Sequence, residues 1–361
     1  MDSLVGMTFS QWHKLLQENK YATAPRFWPK SSIVTAKSFF NTKVARLERK
    51  EWGEQIDKTS IDQAPVFVLG HWRSGTSMLQ NYLAQDPQFA TPCLADVIYT
   101  NSLVRFHTRF DDHYVSGSEL NSRPMDHVKV NLGTPAADEF ALAAVTLRPP
   151  LLSWVFPKNS EHYDRYLTFD NVDEKEVKEW RAAFLYYVKK LTLTYKKQIL
   201  LKSPQHTARI HLLLSLFPDA KFIHIHRHPY ALFKSTQKLY QTAVSSSALQ
   251  SIPKDATSIE RILGIHTAMY DSFFKYKDRI PAQNFVDIAF ERIERDPVEA
   301  IKHIYQTLKL DGFEAFLPIL TAEVEKNRSY KKNKYTQLSE HDKRQIYEAW
   351  QRSFEYWNYN K

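Results

Sequence analysis

The stretch Val66-Phe67-Val68-Leu69-Gly70-His71-Trp72-Arg73-Ser74-Gly75-Thr76-Ser77-Met78-Leu79-Gln80-Asn81-Tyr82-Leu83-Ala84 decides the fold. Its apolar run reads as a buried strand, its glycine-bounded middle as a loop, and its tail as a helix. The Gly70-x4-Gly75 spacing fits a phosphate-binding P-loop, but Thr76 stands where a nucleotide-hydrolysing P-loop has lysine. Such a loop turns backbone N–H groups toward an anion at a helix N-terminus. Arg73 adds a positive charge from inside the loop. The expected ligand bears phosphate but is not a conventional nucleoside triphosphate.

Further strand and helix patterns follow in alternation. Strands are expected at 198–202, 220–225 and 284–288, and helices near 174–195, over 208–216, from Pro229 and over 297–308. Alternation of this kind predicts a mainly parallel α/β sheet flanked by helices. Residues 88–170 are less regular, broken by Pro92, Pro124, Pro135, Pro149, Pro150 and Pro157. We read 1–60 as a helical extension and 61–361 as one α/β domain, with a substrate-side insertion at 90–170. In the extension, Phe9, Trp12, Leu15 and Leu16 share a helical face. It is either an ordinary packing appendage or a cap with peripheral membrane contact. The polar, basic and aromatic segment 326–361 is either a surface helix or a flap over the ligand.

Composition narrows the function classes. The 361 residues carry 49 Lys and Arg against 40 Asp and Glu, a net charge of +9 that favours anionic ligands. The one cysteine, Cys93, excludes an intramolecular disulfide and a cysteine zinc cluster, and reads best as a small buried residue. Neither a secretory signal pattern nor an apolar run long enough to span a bilayer is visible, so a cytoplasmic protein is expected. No nucleic-acid-binding motif appears.

A second anion site is written at 226–235. The strand ending in His226 is followed by Arg227, and Ser235 lies on the next helix. Ligands of open α/β sheets bind at the carboxyl ends of strands. Arginine there offers a bidentate contact to phosphate, and a serine hydroxyl adds a donor.

Together, the lysine-free loop and the Arg227/Ser235 pair resemble the sulfotransferases that use 3′-phosphoadenosine 5′-phosphosulfate (PAPS). The likeness is greatest to their bacterial-type branch, which carries Gly-His-Trp-Arg-Ser-Gly-Thr-[Ser/Thr] in this loop. It extends to Arg123-Pro124-Met125-Asp126, Asp138-Glu139-Phe140-Ala141-Leu142, Leu201-Lys202-Ser203-Pro204, Leu216-Phe217-Pro218-Asp219-Ala220 and residues 280–297. Two positions depart from it: His228, where relatives often have Asp or Asn, and Ser203, where many have Asn.

The resemblance implies a P-loop-NTPase-like α/β fold and sulfuryl transfer from PAPS to an acceptor hydroxyl or, less readily, an amine, leaving 3′-phosphoadenosine 5′-phosphate (PAP). It implies that Arg73, Ser74, Gly75, Thr76 and Ser77 hold the 5′-phosphosulfate, while Arg227 and Ser235 hold the 3′-phosphate. Lys334 and Tyr335 would complete the nucleotide site, or else belong to a solvated basic tail. Arg73, Glu139 and Lys202 would be catalytic, with Glu139 the general base. On residue chemistry alone the Asp138-Glu139 pair reads equally as the acidic first turn of a helix. No metal is expected: a transferring sulfuryl group carries less negative charge than a phosphoryl group. The alternating His224, His226 and His228 share a strand face, but no carboxylate accompanies them locally. Trp72 either lines the nucleotide or packs beneath it. The acceptor is expected to be a carbohydrate or other hydroxylated small molecule. A small-molecule kinase and a non-catalytic nucleotide-binding protein are the competing readings. The kinase does not account for Thr76 or for Arg227 and Ser235, and the non-catalytic protein would bind its ligand without turnover.

Overall fold

The computed structural model describes residues 4–110, 112–120, 130–327 and 337–361. The chain divides into two compact units. One comprises 64–90, 200–240 and 257–361, the other 1–63, 91–199 and 241–256.

The first unit is built on a five-stranded sheet. Its strands are β1 (Val66–Leu69), β2 (Phe89–Ala90), β5 (Gln198–Lys202), β6 (Lys221–His226) and β7 (Phe285–Ala289), in the order β2-β5-β1-β6-β7. The strands β5, β1, β6 and β7 pair in parallel, with Phe67 opposite both Leu201 and Phe222, and His224 opposite Asp287. Val66, Phe67, Val68 and Leu69 are wholly buried, as expected of a central strand covered on both faces. The chain places β5 on one side of β1 and β6 on the other. The carboxyl end of β1 is therefore a topological switch point, where such sheets bind ligands. The α/β fold expected from the sequence is the one formed.

The helix Pro297–Leu308 covers part of the sheet through Ala300, Ile301, Ile304 and Leu308. Its start is fixed by Asp296, which accepts from Glu299 N–H at 3.1 Å, and by Pro297 at the first helical position. The helix expected over 208–216 starts two residues later than expected. Pro204–Ala208 forms a 3₁₀ turn, and the α-helix begins at Ile210. The C-terminal segment contains the helix Glu340–Tyr356, which buries Ile346, Trp350 and Phe354.

The second unit is mostly helical. Its long members are Trp28–Lys58 and Glu174–Tyr195, accompanied by Phe9–Glu18, Glu139–Thr146 and several shorter turns. A short hairpin pairs β3 (Glu119–Leu120) with β4 (Val130–Asn131). Trp12 Nε1–H donates to Thr35 Oγ1 at 2.8 Å, and Phe9 N–H to Thr42 Oγ1 at 2.8 Å, fixing the first two helices to each other. Charge is buried in pairs. Lys190 is bonded to Glu48 and donates to Thr100 O at 3.0 Å, while Glu48 also accepts from Arg105 N–H at 3.1 Å. Arg148 stands 3.1 Å from Glu176.

Candidate active site

The loop after β1 is shaped by close approach. Gly70 and Gly75 have φ of +141° and +108°. A Cβ at Gly70 would lie 2.4 Å from Ile225 O, and one at Gly75 would lie 2.5 Å from the Phe290 ring. Only glycine fits either position. Between them Arg73 takes φ +70°, a left-handed conformation that costs a non-glycine residue energy. Left-handed residues interspersed in a turn gather successive N–H groups into an anion-binding concavity. The helix Thr76–Leu83 then starts directly from Gly75 and adds its own free N–H groups. Gly70 N–H is tied to Thr207 Oγ1 at 2.7 Å, and Ser74 N–H to His71 O at 3.1 Å. Ser74 is fully buried, and its N–H is directed into the loop rather than outward.

Side chains converge on the loop from both neighbouring strands. On the β6 side, Arg73 Nε–H donates to Ser235 Oγ at 2.9 Å, and Arg227 Nη1–H donates to Arg73 O at 3.1 Å. The Arg227 guanidinium sits 4.2 Å from the Phe290 ring centroid, a cation–π contact that fixes its plane. On the β5 side, Lys202 Nζ–H donates to Ser77 Oγ at 3.4 Å. Two contact sets thus flank the loop, Arg227–Arg73–Ser235 on one side and Lys202–Ser77 on the other, with Arg73, Ser77 and Arg227 half-buried and Lys202, Ser235 and Thr76 buried.

Beneath the loop lies an aromatic wall. Trp72 is buried edge-on against His71, with ring centroids 5.1 Å apart. His71 faces His266 at 5.1 Å, and His266 stacks on Trp350 at 3.8 Å. Burial lowers the His71 pKa to about 4 and that of His266 well below the usual value, so both rings are neutral at pH 7.

The alternating histidines of β6 belong to a different network. His224 Nδ1 pairs with Asp287 Oδ1 at 2.8 Å, its partner across the β6–β7 register. Trp357 Nε1–H donates to Asp287 Oδ2 at 2.9 Å. His226 Nδ1 lies 2.8 Å from Tyr359 OH, and its ring stacks on Trp357 at 4.8 Å. Burial opposes charge on Asp287, yet His224, His226 and Trp357 hold its carboxyl below its usual range. Burial lowers His226 to about 4, against the pull of Asp287. The carboxylate missing from local sequence is supplied by the neighbouring strand, and the set clasps the C-terminal segment. Sequence reading missed Trp357 and Tyr359. Their signal was the aromatic run 356–359 facing a histidine-bearing strand.

Glu139 is the first residue of the helix Glu139–Thr146 in the helical unit, buried together with Asp138. Lys334, Tyr335 and the run Arg123-Pro124-Met125-Asp126 lie outside the described residues. Cys93 is a buried thiol, pushed far above its usual range by burial and by Asp96. Its neighbours Asp96, His107 and Tyr195 are hydrogen-bonded to one another, Tyr195 OH donating to Asp96 Oδ2 at 2.9 Å and His107 Nε2 lying 2.8 Å from Asp96 Oδ1.

Known proteins share this architecture. The chain is 28% identical over 357 residues to the omega-hydroxy-beta-dihydromenaquinone-9 sulfotransferase Stf3 of Mycobacterium tuberculosis, covering 99% of this chain and 91% of that protein. The sulfotransferase STF9 of Mycobacterium avium superposes with a TM-score of 0.66 at 16% identity, covering 92% of this chain and 86% of the other. STF1 of Mycobacterium tuberculosis gives 0.63 at 15% identity, covering 94% and 89%. A family model described as the sulfotransferase family matches residues 65–315, from the start of β1 past the last strand of the sheet. The chain belongs to the sulfotransferase family and is an enzyme of that class.

Proposed function

We propose that this sulfotransferase moves a sulfuryl group from PAPS to an acceptor hydroxyl. The observation that carries the reading is the contact chain Arg227–Arg73–Ser235 beside a lysine-free glycine loop. It offers two separate anion-binding ends, as a nucleotide with a 5′-phosphosulfate and a 3′-phosphate requires. The loop fits such a group through the N–H groups at the start of the helix Thr76–Leu83, which opens directly from Gly75.

When bound, PAPS supplies a sulfuryl group attached to a phosphate leaving group. The N–H groups of Gly75, Thr76 and Ser77 and the Thr76 and Ser77 hydroxyls hold the phosphosulfate end, with Ser74 shaping the loop beneath them. Arg227 and Ser235 hold the 3′-phosphate, with Lys334 and Tyr335 as proposed additions. Arg73 balances charge growing on the leaving phosphate, and Lys202 positions the same end through Ser77. The acceptor oxygen bonds to sulfur as the sulfur–oxygen bond to phosphate breaks. Glu139 takes the acceptor proton. That role is carried from the family resemblance and is tested by Glu139→Gln, for which a lost pH-dependent limb in turnover is expected.

For the acceptor we propose a hydroxyl on a lipid-like body in preference to a carbohydrate. The support is the relative named for a hydroxylated menaquinone, which aligns along the helical unit as well as the sheet. Titration calorimetry with PAP in EDTA, against ATP and 5′-AMP, tests the donor. Tight PAP binding, weakened by Arg227→Ala, is expected. Magnesium-dependent ATP binding without PAP binding would overturn the reading in favour of a kinase. Turnover with a hydroxylated isoprenoid quinone and with simple sugars then separates the two acceptor classes.

A further inference from the structure

The outer face of the N-terminal helices takes no part in the reading proposed above, and it joins exposed cations to exposed apolar side chains. Residues 19–47 hold six lysines and arginines and no aspartate or glutamate. The same segment contains Tyr21, Trp28, Ile33, Phe39 and Phe40, half of the ten exposed large hydrophobic residues described. Phe40 is 63% exposed and Trp28 is 60% exposed.

Helix geometry arranges these residues. In Trp28–Lys58, Val34, Ser38 and Ile56 point inward and are buried. On the opposite side Ile33, Ala36, Phe40, Val44 and Leu47 recur at three- and four-residue steps and form one stripe. Lys37 flanks the stripe on one side, and Lys43 and Arg46 flank it on the other. All three are exposed, and among the described residues none is ion-paired. Phe39 stacks on Phe9 with centroids 4.3 Å apart, so the first helix extends the apolar surface. A groove of about 520 Å³ runs beside them, lined by Phe9, Phe39, Lys43 and Leu47 among others.

An apolar stripe edged by cations is the pattern of a helix lying in a bilayer interface. The rings enter the headgroup region while lysine stems reach back to phosphate. No helix among the described residues is long and apolar enough to cross a membrane, so the geometry is that of a surface helix. A second copy of the chain suits the face less well, because its flanking cations would meet like charge. We propose that the outer face of the helix over residues 28–47 docks the protein on an anionic lipid surface. This inference goes beyond the sulfuryl-transfer reading and does not depend on it.

Co-sedimentation of the full chain with vesicles tests it. Neutral phosphatidylcholine vesicles are compared with vesicles containing about 30% phosphatidylglycerol at about 0.1 M salt. Partition onto the anionic vesicles is expected to be at least about tenfold stronger, and to fall away at about 0.5 M salt. Ile33→Ser with Phe40→Ser should weaken it by about tenfold or more, and Lys37→Ala and Lys43→Ala by about fivefold each. These side chains are exposed, and far-UV circular dichroism checks that the variants remain folded. Absent or equal binding to the two vesicles, or binding indifferent to both sets of variants, overturns the proposal. So does a lipid-free dimer in sedimentation velocity that the Ile33 and Phe40 changes dissolve while wild type ignores vesicles. PAP titration on the same preparations is read separately, so its failure counts only against the nucleotide reading.

Discussion

In the sheet unit Arg73 and Arg227 stand half-buried beyond strand ends, whereas in the helical unit Lys190 is buried against Glu48, and Arg148 against Glu176. Both arrangements bring charge out of water. In the first, the cations lean on a hydroxyl, a carbonyl and a ring. In the second, each charge meets its opposite. The same residue types thus take neutral partners in the proposed binding site and opposite charges in the helical architecture.

That difference can be broken experimentally, and the largest effect is expected in the helical unit. Glu48→Ala leaves Lys190 buried without its carboxylate and should cost about 3–5 kcal/mol of stability in denaturant unfolding. Replacing both, Glu48→Leu with Lys190→Met, should recover most of that loss; failure to recover would mean the pair is more than mutual neutralisation. In the sheet unit, Arg73→Gly relieves the φ +70° strain while removing the guanidinium. Steady-state kinetics should show a loss of about 2.7–4 kcal/mol of transition-state stabilisation, roughly a hundredfold or more in turnover, with little change in unfolding midpoint. A variant that loses stability and keeps its rate would place Arg73 with the architectural charges.

The pH dependence sharpens the contrast. His71 and His226 titrate near pH 4 in the fold against about 6.5 unfolded, so the unfolded chain binds more protons between those values. Their contribution is complete above pH 6.5 and is lost as the pH falls toward 4, about 2 kcal/mol per histidine by pH 5. The depressed Asp287 acts in the same direction but only below its unfolded value of 3.8. Denaturation midpoints at pH 7 and pH 5 measure the histidine effect. The smallest change is expected for Phe290→Leu, which removes the ring beneath Arg227. PAP affinity should fall by about 0.5–1 kcal/mol in calorimetry, with Arg227→Ala falling further.

Much of the sheet unit was legible because its signals are local. Val66–Leu69, Gln198–Lys202 and Pro297–Leu308 are bounded by glycine, proline or a capping aspartate next to uninterrupted apolar patterning. The misjudged start of the helix at Ile210 has a local cause too, since Pro204 favours a tight turn over an α-helical one. The loop and the Arg227/Ser235 pair were readable from spacing, but the Arg73–Ser235 bond joins residues 162 apart and needed the fold. The helical unit was less legible. The partner of Lys190 lies 142 residues away, and no periodicity announces which buried lysine meets which glutamate. The histidine set was seen but not explained, because Asp287, Trp357 and Tyr359 reach it only through strand register and a docked C-terminal segment.

The bond between His226 and Tyr359 spans 133 residues. During synthesis the glycine loop and both of its arginines leave the ribosome long before Tyr359 does. The strand end that presents Arg227 is therefore finished last, once the aromatic segment folds back onto it. A nascent chain halted before Trp357 would hold the residues proposed to bind phosphate on an unfinished support, so competence for nucleotide should arrive late and abruptly in translation.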